Sequence, residues 1–97
     1  MRRSIMVDLE ERECAICGGK SFLQLHHCMH GTANRRKADQ YGLTVWLCMD
    51  CHERLHSAKE QRWRDLDREL KECAQRRFED LFDHELWMRE FGKNYLD

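Results

Sequence analysis

Two Cys-x-x-Cys pairs, Cys14/Cys17 and Cys48/Cys51, punctuate this chain with thirty residues between them. The first pair runs straight into Gly18-Gly19. Cys-x-x-Cys-Gly-Gly is the form of a zinc knuckle, a tight turn whose glycines let backbone amides approach the sulfurs. Two knuckles at this separation fit a tetrahedral four-cysteine site holding a structural Zn²⁺, with room for a hairpin between them. The alternatives are four buried apolar cysteines or two redox pairs, and a thioredoxin-like redox pair calls for a βαβ context that this sequence lacks. Ligands so far apart organise only around the ion, so zinc would contribute folding free energy directly. A chain of 97 residues with nine aromatics and 36% charged residues has the lean core for which a staple of this kind is needed.

The opening MRRSIMVDLE has no apolar h-region and no small-residue cleavage site, so reduced thiols and a cytoplasmic location are expected. No apolar run approaches the roughly 18 residues that a membrane span requires, and no membrane role is expected. Net charge is −1, split as +1 over residues 1–57 and −2 over 58–97. Any contact with nucleic acid would therefore run through local patches such as Arg35-Arg36-Lys37, or through a larger assembly.

There is no proline, no internal repeat and no linker composition, so a single domain over 1–97 is expected. Its composition shifts near residue 57, after five of the six cysteines and five of the six histidines. Within 12–57, SFLQLHH reads as a short strand, MHGTANRRKADQYG as a polar loop and LTVWL as a second strand pairing back on the first. A helix should open from the second knuckle through HERLHSAKE. Over 58–97, Leu66, Leu70, Cys73, Ala74, Phe78, Leu81 and Phe82 recur at three- and four-residue steps, one face of an amphipathic helix, which places Cys73 in the core. Asp83 is positioned as the N-cap of a further short helix through Phe91, and Gly92 as the residue that ends it. Tyr95 and Leu96 would fold back on the core or onto a second subunit. The class is α+β, a small zinc-stabilised ββα core followed by a C-terminal helical extension.

His26 and His27 close the first strand; His52 follows Cys51 and His56 lies one turn later, on the same helix face. Either pair, taken alone, reads equally as surface histidine. The order Cys-x-x-Cys, strand ending in His-His, strand, then Leu-Cys-x-x-Cys-His with a further His resembles the HNH (ββα-metal, treble-clef-like) endonuclease superfamily in its four-cysteine zinc form, over Cys14 to His56. The whole chain is similar to small phage-encoded HNH-like proteins.

That resemblance implies His26 and His52 as ligands of a catalytic divalent metal, His56 as a supplementary ligand or phosphate contact, and His27 as general base. An imidazole with a pKa of about 6.5 can take a proton from water at neutral pH. The metal would be Mg²⁺, Mn²⁺, Ni²⁺ or Zn²⁺, imidazoles favouring the softer ions. The family's asparagine position, five residues before the second knuckle, holds Leu43. Asn34 is the only asparagine between His27 and His52, either a turn residue or one that reaches back to orient His27. Arg35, Arg36 and Lys37 would hold the DNA backbone, or lie solvated. The implied function is a DNA endonuclease, bacterial or phage-encoded. The alternative is a nuclease-inactive zinc module that binds DNA or a protein partner. The helical extension would serve a homodimer or a phage or host DNA-processing protein.

Overall fold

The computed structural model describes residues 4–96; the expected outer bounds of the domain, residues 1 and 97, lie outside them. Two strands, β1 (Leu23–His27) and β2 (Thr44–Cys48), and four helices, α1 (Thr32–Tyr41), α2 (Met49–Ser57), α3 (Gln61–Leu81) and α4 (His84–Phe91), make an α+β fold. The strands pair antiparallel with Leu23 opposite Cys48, Leu25 opposite Trp46 and His27 opposite Thr44. This register sets Cys48 at one end of the ribbon and the histidine pair at the other. No helix among the described residues is long and apolar enough to cross a membrane.

The segment between the strands departs from the expected loop. Ten of its residues form α1, ended by Gly42 at φ 75°, where the Leu43 amide bonds the Ala38 carbonyl at 2.7 Å. Only Ala38 of the ten is buried, so the helix has almost no apolar stripe to announce it. The good intrinsic helix formers of ANRRKADQ and the left-handed glycine behind them are what remain to specify it.

Beyond α2, the long α3 buries Trp63, Ala74, Gln75 and Phe78. Asp83 caps α4 by accepting the Leu86 amide at 2.7 Å, and Gly92 closes it at φ 74°. Both ends of α4 thus follow from local chemistry. Trp87 is fully buried, with its indole N–H on the Lys93 carbonyl at 2.8 Å. Phe78 meets Tyr41 of α1 at 5.0 Å and Trp87 of α4 at 5.4 Å between ring centroids. Tyr95 packs against the same core, and its amide bonds the buried Gln75 side chain. Among the described residues, the buried apolar side chains other than Trp46 accordingly form one cluster from Cys14 to Trp87.

Three members of the expected stripe sit elsewhere than in that core. Cys73 is exposed, because the face of α3 that packs inward runs through Ala74 and Phe78. Leu81 and Phe82 are 55% and 49% exposed, since α3 ends at Leu81 and Phe82 has left helical geometry. Cys28, by contrast, is wholly buried, with its thiol on the Met6 sulfur at 3.4 Å.

Candidate metal centres

The four cysteines converge. Their sulfurs all lie within 4.8 Å of one another, close enough to share one metal ion. The knuckle geometry is that of amides aimed at sulfur: Ile16 and Cys17 donate to Cys14 Sγ at 3.4 and 3.5 Å, Gly19 to Cys17 Sγ at 3.4 Å, and Cys51 to Cys48 Sγ at 3.5 Å. A Cβ on Gly19 would stand 3.3 Å from the Cys17 sulfur, a tight contact that glycine avoids.

Electrostatics within the cluster are divided. Burial opposes ionisation of Cys14, but the backbone donors on its sulfur outweigh that and bring its thiol down to about 6. Burial and the neighbouring sulfurs push Cys51 strongly the other way. One thiolate forms readily and the last is resisted by its neighbours, a conflict that a bound cation removes.

The histidines form a second cluster at the opposite end of the ribbon. α2, capped by the Cys48 sulfur, runs back along the sheet and brings His52 and His56 beside His26. Ring centroids are 5.3 Å apart for His26–His52, 5.6 Å for His26–His56 and 4.5 Å for His52–His56, and one nitrogen from each lies within 4.8 Å of the other two. His26 is only 1% exposed, yet both its ring nitrogens lack a hydrogen-bond partner. An orphaned buried imidazole is expensive, and a ligand that engages its lone pair removes the penalty. Burial first, then the neighbouring His52, His30 and His56, hold its pKa near 3, so the ring is neutral as a metal ligand must be. His52 donates Nδ1–H to Gln24 Oε1 at 2.6 Å, which leaves Nε2 as its lone-pair atom, 2.9 Å from His56 Nε2. The three-imidazole donor set fits a borderline divalent ion, as the four thiols fit a soft one.

A cavity of about 170 Å³ opens on these rings, with His27, His30, Leu25 and Arg35 completing its wall. His27 lies 3.6 Å from Asp39 of α1, an ion-pair separation longer than a hydrogen bond. The basic triplet is divided by its helix. Arg35 faces the cavity, Arg36 is exposed, and Lys37 places its ammonium on the Glu90 carbonyl at 2.5 Å. Asn34 lies half-buried on the first turn of α1 and does not line the cavity. Leu43 is fully buried in the core.

Three residues at this site were not foreseen. Gln24 is legible as an outward strand position two before His26, on the same side of the pleat. His30 carries no spacing signal, and Asp67, bonded to it at 2.6 Å, comes from α3. Comparison of the chain with protein-family models, with curated proteins and with solved structures returned no match.

Proposed function

We propose that the chain is a metal-dependent DNA endonuclease of the HNH type, its ββα core stapled by Zn²⁺ on Cys14, Cys17, Cys48 and Cys51. The observation that carries this reading is the convergence of His26, His52 and His56 on one point, with His27 on the wall of the same cavity. Four thiolates select Zn²⁺ and the imidazole set accepts Mn²⁺, Ni²⁺, Zn²⁺ or Mg²⁺. A divalent ion held by His26, His52 and His56 supplies Lewis-acid stabilisation of charge on the scissile phosphate and the departing oxygen.

The protein's own groups do the rest. His27 accepts a proton from the attacking water, with Asp39 3.6 Å from its Nε2. The family's asparagine position is taken by buried Leu43. Arg35 meets a phosphate at the cavity mouth. Gln24 keeps the lone pair of His52 turned inward. Leu43 also favours a second reading, a nuclease-inactive module that binds DNA through the same face.

Plasmid cleavage with Mg²⁺, Mn²⁺ or Ni²⁺ separates the two. Wild type should cut, and His27→Ala should lose about 10²–10⁴-fold in rate, the usual contribution of a general base. Undiminished cleavage by His27→Ala overturns the mechanism, and DNA binding without cleavage under any metal establishes the module instead.

A further inference from the structure

His30, in the turn between β1 and α1, and Asp67, on α3, stand outside the ligand set named so far, but with His26 they form a second group of donor atoms within 4.8 Å of one another. His30 Nε2 and Asp67 Oδ1 are 2.6 Å apart. Lys71, one turn further along α3, holds the other carboxylate oxygen at 3.1 Å. Paired with the Lys71 ammonium, the Asp67 carboxylate is an acceptor, and His30 donates to it through Nε2–H. With that nitrogen engaged, Nδ1 is the atom of His30 left to offer a lone pair to a cation.

The ring of His30 is 5.7 Å from that of His26 and 5.6 Å from that of His56, centroid to centroid. These separations match the 5.3 and 5.6 Å between His26 and its partners from α2. Metal–nitrogen bonds of about 2.0–2.1 Å set the rings of two ligands on one ion roughly 5 Å apart. The orphaned nitrogens of His26, at 1% exposure, independently point to a ligand in this space. A carboxylate on the far nitrogen of a ligating histidine is a recurrent way of fixing tautomer and ring orientation.

We propose that His30 is a further ligand, through Nδ1, of the divalent cation bound by His26, His52 and His56, and that Asp67 is the positioning residue that orients it. This rests on the cation-site reading above. It makes α3 part of the metal centre, since the carboxylate that aims the fourth imidazole lies 37 residues beyond it in the chain.

The test is Co²⁺ titration of the zinc-loaded full chain, followed by calorimetry and by the visible absorption of the bound ion. Asp67→Asn should weaken Co²⁺ binding by about 10–100-fold, the usual loss on removing such a partner. His30→Ala should weaken it at least as much and change the absorption spectrum, reporting a lost ligand. Because Asp67 acts through His30, the double variant should bind no more weakly than His30→Ala. Wild-type affinity in both single variants overturns the proposal, as does an undiminished Asp67→Asn effect in the His30→Ala background. Near-UV circular dichroism checks folding, and His30→Gln replaces the alanine variant if that one is unfolded. If wild type takes up no Co²⁺ beyond the thiolate site, the cation-site reading itself fails, an outcome distinct from unchanged affinity in the variants.

Discussion

Replacing His26 by leucine should stabilise the protein while abolishing its response to added cations. His26 is 1% exposed and neither ring nitrogen has a hydrogen-bond partner. Each buried donor or acceptor left unsatisfied costs about 1–3 kcal/mol. Leucine has no polar atoms to desolvate, and a hydrophobic side chain of nearly the right volume is accommodated for less than about 1.5 kcal/mol. The expected net gain is thus about 1–3 kcal/mol, which raises the melting temperature of a domain this size by roughly 5–20 °C. Wild type should recover the deficit when a cation engages the ring, gaining about 2.7 kcal/mol at a hundredfold excess over the dissociation constant. Thermal unfolding followed by circular dichroism, with and without Mn²⁺, reads both effects. The leucine variant should melt higher than wild type in the absence of Mn²⁺ and show no shift when it is added. A variant that melts lower without Mn²⁺, or one that keeps the wild-type shift, would refute the reasoning that His26 is strained by lack of a ligand.

The same histidine sets a pH dependence. Burial and the adjacent imidazoles hold its folded-state pKa near 3, against about 6.5 in an unfolded chain. Between those values the unfolded chain binds the extra proton, so stability should fall as pH drops from about 6.5 toward 3, and the slope should flatten in His26→Leu; urea titrations across that range measure it. At the other cluster, Cys51→Ser or zinc chelation should abolish cooperative unfolding altogether. A structural zinc contributes about 10–16 kcal/mol, as much as or more than the 5–15 kcal/mol stability of a typical domain; a retained sharp thermal transition would count against a zinc staple. Asp83→Ala removes the bond to the Leu86 amide and should cost about 1 kcal/mol, seen as a melting temperature lower by roughly 4–8 °C.

These expectations trace back to features of different legibility. The cysteine pairs were readable because a knuckle is local: two residues between cysteines, with glycines behind the first pair, dictate turns that aim amides at sulfur. The ends of α4 were readable for the same reason, through the Asp83 cap and the left-handed Gly92. His52 and His56 share a face by helical spacing alone. The helix between the strands was not readable, because a helix that buries one residue in ten leaves no periodicity, and its flanking glycines suggest a loop as readily as a cap. Nor was the exposure of Cys73, since the stripe on α3 is wide enough that only its packing against α4 and Tyr41 selects which edge turns inward.

By itself, then, the sequence determined the two knuckles, the strands that separate them and the four histidines nearest to them, all products of short-range spacing. Tertiary structure decided which side chains share a space. It buried His26 with no hydrogen-bond partner for either ring nitrogen, turned Arg35 toward the cavity while Lys37 went to Glu90, and brought Asp67 from α3 onto His30. Such neighbours arise from how helices pack around one core, and side chains 37 residues apart carry no spacing that foretells their meeting.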